Sequence, residues 1–177
     1  MNVARFGPLI GSIGGLVFIL INAGGLPGAA PLVVRLLGVA AFAFVIWFAI
    51  FRPRSHRAPK ATPTPHEIRV YWTCVGAMAA AIPLGAIVIA NVLDVPELTV
   101  CWVVLVVGAH FLPFAKTFEA PVFTSVAWTL IGLAVIGGAL TLAVDAQAAA
   151  WAAVLAGVAL LFFSALGAHT GGRLRSA

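Results

Sequence analysis

Charged residues are scarce in this sequence. They make up 8% of its 177 residues, and only five of them are acidic. Soluble domains carry about 25% charged residues, so the composition does not fit a soluble fold. The hydrophobic fraction is 63% and the mean hydropathy is +1.13. One globular core of this size could not bury so much apolar surface, which indicates that lipid is the solvent for most of the chain.

The sequence also has little cysteine and no acidic residue deep in an apolar segment. Two cysteines, Cys74 and Cys101, are too few for a disulfide framework. Without a buried Asp, Glu or Lys, proton-coupled transport through carboxylates and retinal binding through a lysine lack their residues. A Ser–His–Asp or Cys–His arrangement also lacks an acid at the required depth. We therefore expect no cofactor and no catalytic group.

Six apolar stretches are long enough to cross a membrane as helices, which need about 20 residues each. Helices are expected because every backbone polar group in hydrocarbon must be satisfied within its own segment. The predicted fold class is therefore all-α, a polytopic transmembrane bundle of six helices that forms a single domain over residues 1–177. The predicted spans are 6–26, 30–51, 70–93, 98–115, 121–144 and 147–168, with a linker at 52–69, of which 52–66 is expected to be solvated and extended.

The basic residues predict the orientation. Given six spans, nine of the ten lysines and arginines fall on one side, five of them in the linker 52–69. Because multi-pass proteins keep positive charge on the cytoplasmic side, both termini and the linker are predicted to be cytoplasmic. The net charge of +5 then indicates topology and contact with anionic membrane lipids, and not nucleic-acid binding. Frequent Arg, Ala, Gly and Val favour a bacterial cytoplasmic membrane.

A short pattern recurs in the second, fourth and sixth spans. A glycine near the middle of the span is followed six residues later by a phenylalanine. The three stretches are LGVAAFAF (37–44), VGAHFLPF (107–114) and AGVALLFF (156–163), which align Gly38, Gly108 and Gly157 and then Phe44, Phe114 and Phe163. The pattern predicts three repeated helical hairpins around a pseudo-threefold axis. The alternative is coincidence within a biased composition.

Small residues four positions apart predict close contacts between helices. Gly11 and Gly15 form such a pair in the first span. Similar seams run through the third and sixth spans, at Ala77, Ala81 and Gly85 and at Ala149, Ala153 and Gly157. These seams fit packing within the chain. They also fit a homo-oligomer or a partner membrane protein.

Arg35 lies near the outer end of the second span, where snorkelling lowers the cost of its charge. Asp94 and Glu97 are expected on the same side of the membrane. We predict an ion pair between Arg35 and one of these acids that ties two hairpins together. A site for an anionic solute and simple snorkelling are the alternatives.

His110 is the ionisable residue placed deepest in a predicted span. It stands six residues before Lys116, which puts it about 9 Å inside the cytoplasmic interface. Pro113 should kink the fourth helix and free a carbonyl nearby. The favoured interpretation is a closed core in which His110 bonds a helix carbonyl. If the chain has a small-molecule site, we expect it in the cytoplasmic half, between the second, fourth and sixth helices, with His110 as its polar group. Its expected apolar walls are Phe44, Phe111, Phe114 and Phe163.

The stretch GAHFLPFAKTFEAP (108–121) resembles segments of small, uncharacterised bacterial inner-membrane proteins with six helices. The hairpin pattern is similar in topology to the short hairpins of the HdeD-like membrane family. This resemblance implies a multi-pass helical fold. It implies no reaction, cofactor or site residue.

Together these features favour a non-enzymatic membrane protein that binds or passes a small or apolar molecule. The first alternative is an accessory or oligomeric membrane subunit that packs through its small-residue seams. The second is a membrane enzyme acting on a lipid, which would need polar groups clustered at one depth.

Overall fold

The computed structural model describes residues 6–51, 64–118 and 120–170. These residues form six α-helices, and the described part of the chain contains no β-strand. The helices are α1 (Phe6–Asn22), α2 (Ala30–Phe51), α3 (Pro65–Asn91), α4 (Thr99–Thr117), α5 (Pro121–Ala143) and α6 (Gln147–Thr170). Short 3-10 turns follow α1 and precede α4. The predicted all-α class is confirmed.

Five of the helices, α2 to α6, are long and apolar enough to cross a membrane. The remaining helix, α1, has 17 residues, which is the lower end of the range of about 17–25 residues for a span. A 3-10 turn at Ala23–Gly25 follows it directly and extends its apolar run. The chain is therefore a multi-pass membrane protein.

The helix α3 begins earlier than the sequence pattern suggested. The predicted span started at residue 70 and the linker ran to residue 69, whereas the helix begins at Pro65. The reason is a capping box. Glu67 N–H donates to the Thr64 hydroxyl at 3.2 Å, and Thr64 N–H donates to Glu67 Oε2 at 2.6 Å. These bonds satisfy backbone donors at the helix end, so polar residues extend the helix beyond the apolar segment. The prediction of an extended chain is wrong at 65–66, and 52–63 lies outside the described residues.

Helices that are adjacent in the chain are also adjacent in the bundle, with one exception. Contacts run from α3 through α4, α5, α6 and α1 to α2. The pair α2 and α3 is missing from the main helix contacts. The central helix is α6, which also touches α2 and α4. The edge helix α3 has no buried residue over its 27 positions.

The tightest crossing joins α1 to α6. A Cβ atom added to Gly15 would lie 2.6 Å from the Gly157 carbonyl oxygen, and one added to Gly157 would lie equally close to the Gly15 oxygen. Beside it, a Cβ on Gly11 would lie 2.5 Å from Ser164 Oγ. Only glycine permits this approach, so the predicted packing role of these small residues is confirmed for α1 and α6.

The three hairpins have different surroundings, and the predicted repeat is not confirmed. In α2, Gly38 packs against Ile19 of α1, its own hairpin partner. In α4, Gly108 packs against Leu130 and Ile131 of the following helix, α5. The aligned glycines thus all mark close contacts, but they face partners in different relative positions.

Candidate functional site

The predicted site residue His110 lies in the second half of α4 and is half-buried. Its Nδ1 atom contacts the Val107 carbonyl oxygen at 2.5 Å, one turn back in the same helix. Pro113 lacks the N–H that would otherwise bond the Ala109 carbonyl. The imidazole therefore does not use the carbonyl that the proline frees.

Two aromatic rings of its own helix contact His110, and these rings in turn contact aromatic residues of α3 and α5. The Phe111 and Phe114 rings lie 4.1 Å and 5.3 Å from the imidazole, centroid to centroid. Phe114 also stacks on Tyr71 of α3 at 5.8 Å, and Phe111 stacks on Phe123 of α5 at 5.8 Å. We call Tyr71, His110, Phe111, Phe114, Phe118 and Phe123 the α4 aromatic cluster.

The structure does not bring the three repeated phenylalanines together. Phe114 is buried in the α4 aromatic cluster. Phe163 packs against a core of α4, α5 and α6 that includes Val104, Leu130 and Leu160. Phe44 is 58% exposed, and its ring contacts are with Trp47 and Phe48 of its own helix. A pocket between α2, α4 and α6 is therefore not the arrangement around His110.

Sequence reasoning missed Tyr71, Phe118 and Phe123. Phe118 and Phe123 stand on either side of the short turn between α4 and α5, and their rings are 6.5 Å apart. That pairing has a sequence signal, since aromatic residues that flank a tight helix–helix connection meet. The sequence contains no such signal for Tyr71, because its contact with Phe114 depends on how α3 packs against α4.

Arg35 donates a hydrogen bond from Nε to the Leu20 carbonyl oxygen at 3.1 Å. Leu20 lies in the last turn of α1, where carbonyls have no partner within the helix. A guanidinium there also opposes the negative end of the helix dipole. Glycine at position 24 leaves room for the side chain, since an added Cβ would lie 3.2 Å from Arg35 Nη2.

The predicted partners of Arg35 lie elsewhere in the bundle. Asp94 and Glu97 belong to the connection between α3 and α4, which packs against α3, α4 and α5. The neighbours of α2 are α1 and α6, together with the turn that follows α1. Arg35 thus ties together the two helices of one hairpin, α1 and α2. The ion pair with Asp94 or Glu97 stays a prediction.

A shallow, open groove lies between α3, α4 and α5 in the half of the bundle opposite His110. Its volume is about 230 Å³. The residues lining it include Ile89, Leu98, Cys101, Trp102, Ala134 and Gly138. Small residues of α5 create the space, and the Trp102 indole forms one wall. We call this the outer groove.

Trp102 presents no free polar atom to the outer groove. Its indole N–H donates to the Ala81 carbonyl oxygen of α3 at 3.0 Å. The ring fits against α3 because Gly85 has no side chain there, and an added Cβ would overlap the indole. The predicted seam of Ala81 and Gly85 therefore serves α4 within the chain.

Other features along the described helices give no metal centre. Within residues 6–51, 64–118 and 120–170, His, Cys, Asp and Glu form no group of three that could hold a metal ion. A second, shallow depression runs along α3 at His66, Arg69 and Cys74. Neither this depression nor the outer groove is lined by His110.

Comparison of the chain with known protein families, characterised proteins and solved structures gives no match. Function must therefore be argued from the helices and their side chains.

Proposed function

We propose that this multi-pass protein resides in a bacterial cytoplasmic membrane and binds an apolar chain, such as a lipid acyl chain, in the outer groove. The observation that carries the proposal is the groove itself. It lies between three membrane helices and has a lining of apolar atoms.

The chemistry of the lining favours an apolar occupant. The Trp102 indole N–H is already bonded to Ala81, so it does not attract a polar ligand. Thr141, one turn beyond Gly137, donates its hydroxyl to the Gly137 carbonyl at 2.7 Å. Polar groups near the groove are thus satisfied by the protein, and what remains is apolar contact surface.

The orientation proposed with this function places the outer groove in the outer leaflet. The beginning of α3, with its basic residue Arg69, then faces the cytoplasm. The connections on the opposite side carry Asp94, Glu97 and Asp145 and no basic residue, and Arg35 near that end of α2 is bonded to the Leu20 carbonyl. A chain bound in the groove would come from a molecule in the outer half of the bilayer.

Filling the outer groove should prevent binding. In Gly138→Leu, the new Cβ would meet Leu98 Cδ2 at 3.7 Å and Cys101 Cβ at 3.8 Å, which are ordinary contacts. The rest of the leucine side chain would occupy the groove. The matched control is Gly132→Leu in the same helix, where an added Cβ meets nothing within 4 Å.

The measurement is photolabelling of the purified protein in lipid vesicles with a fatty acid that carries a diazirine. We expect saturable labelling of peptides from α4 and α5 around Trp102 in the wild type and in Gly132→Leu. Excess oleic acid should compete for it, and Gly138→Leu should reduce it several-fold. Labelling spread evenly over lipid-facing helices, α2 included, and unchanged by Gly138→Leu would refute the proposal.

A further inference from the structure

The two ring nitrogens of His110 have different hydrogen-bonding roles. A neutral imidazole carries one donor nitrogen and one acceptor nitrogen. The Val107 carbonyl oxygen in contact with Nδ1 can only accept, so Nδ1 must carry the proton. Nε2 is then a hydrogen-bond acceptor. The neutral form is expected here because a charge within the hydrocarbon region is costly.

Nε2 has no hydrogen-bond partner among the described residues and is not fully buried. In the described part of the chain it makes no hydrogen bond with the protein. Yet no buried side-chain nitrogen or oxygen among the described residues lacks a partner. An Nε2 atom without a partner therefore keeps some accessible surface.

The surroundings of this acceptor are apolar. The Phe111 ring is tilted against the imidazole and the Phe114 ring meets it edge-on. At about 9 Å from the level of Lys116, water is scarce. A polar group without a partner is costly in such an environment, and a hydrogen-bond donor that is itself lipid-soluble would relieve that cost.

We propose that His110 is the polar contact of a second binding site, in the cytoplasmic half, for an apolar molecule that carries a hydroxyl group. The hydroxyl donates to Nε2, and the apolar part lies against the rings of the α4 aromatic cluster. A membrane alcohol such as a diacylglycerol and a lipid-soluble phenol share this chemistry. The inference does not depend on the outer groove, which lies in the other half of the bundle.

The test is nitrogen-15 NMR of the histidine side chains in the full-length protein in lipid nanodiscs, with His110 assigned through His110→Phe. The free protein should show protonated Nδ1 and unprotonated Nε2. A resonance showing protonated Nε2 would overturn the proposal without any ligand.

Two pairs of probes then test the ligand class. Dioleoylglycerol is compared with trioleoylglycerol, and 4-octylphenol with its methyl ether, since the second member of each pair lacks the hydroxyl donor. We expect the hydroxyl compound of at least one pair to shift the Nε2 resonance saturably. A response to dioleoylglycerol alone would identify a lipid alcohol, and a response to the phenol alone an aromatic one. Equal responses within both pairs, or none, would overturn the proposal.

His110→Phe keeps a ring of similar shape and removes the acceptor. Loss of one hydrogen bond should weaken binding of the active hydroxyl compound by about three- to tenfold. Binding of its partner without the hydroxyl should not change. Gly138→Leu should leave both unchanged, so failure of the outer groove and failure of this site can be told apart.

Discussion

At the residue scale, several polar side chains in this bundle donate to backbone carbonyls. Ser12 and Asn22 donate to carbonyls of their own helix at 2.9 Å. Trp102 and Arg35 donate to carbonyls of a neighbouring helix. In a chain with so few charges, helix carbonyls are the most numerous acceptors within reach. They satisfy isolated polar groups without a second charged residue in the membrane.

Arg35→Met should lower the stability of the protein by about 1 kcal/mol, since it removes a charged hydrogen bond and a favourable charge at the end of α1. Asp94→Asn should have little effect. Asp94 has a left-handed backbone with φ of 55°, which asparagine also tolerates. The measurement is thermal unfolding in detergent.

A double-mutant cycle separates the two partners considered for Arg35. The cycle compares Arg35→Met, a variant with both Asp94→Asn and Glu97→Gln, and the combination of all three. If Arg35 is bonded only to the Leu20 carbonyl, the two losses of unfolding free energy will add in the combined variant. A coupling energy above about 0.5 kcal/mol would instead establish the ion pair with the acids.

At the scale of elements, the sequence predicts where the helices lie along the chain. It does not predict which helices pack against each other. The helix α2 has the predicted bounds, and α5 and α6 begin at the predicted residues. Long apolar runs separated by proline, glycine and charge supply that information. The start of α3 was missed because a capping box, and not hydrophobicity, determines it.

The candidate site was only partly predictable for a related reason. His110 with Phe111 and Phe114 share one helix, so spacing alone places them together. Contacts between helices are different, because a span that is apolar on all sides has no polar face to show which side is buried. Phe44 was therefore assigned to the site although it faces away, and Tyr71 was overlooked.

The crossing of α1 and α6 should be sensitive to a single methyl group. In Gly15→Ala the new Cβ would lie 2.6 Å from the Gly157 oxygen, whereas in Gly14→Ala it would meet nothing within 4 Å. We expect Gly15→Ala to destabilise the protein by about 1–3 kcal/mol, because backbone and not a flexible side chain must move.

Gly14→Ala is the control one position away in the same helix, and it should leave the unfolding temperature unchanged or raised. Equal unfolding temperatures for the two variants would mean that α1 and α6 do not approach this closely.

At the scale of the whole molecule, the bundle is asymmetric. One helix, α6, lies at the centre, and α2 and α3 lie at the edges. In a pseudo-threefold bundle, each hairpin would contact the next one in the same way. The contacts of α4 with α5 and of α6 with α1 would then have an equivalent between α2 and α3. That contact is missing from the main contacts of the described helices, and the linker 52–63 joins the two edges.

The proposed orientation predicts which connections are accessible from outside the cell. With Cys74→Ser and Cys101→Ala as background, a maleimide that cannot cross the membrane should label Ala146→Cys in intact cells. It should label His66→Cys only after lysis. Both positions are exposed and neither changes the number of basic residues. Labelling of His66→Cys from outside, with Ala146→Cys protected, would reverse the topology.

The central place of α6 has a consequence for the order of assembly during synthesis. The hairpins α1–α2 and α3–α4 can each form from local contacts as soon as their helices have been made. The extensive contact of α1, however, is with α6, so Gly11 and Gly15 must wait until all the intervening helices have entered the bilayer. During that interval the glycine face of α1 is open to lipid or to other nascent helices. Completion of the bundle is therefore a late, long-range step, and it is the stage at which this chain is most exposed to mispairing.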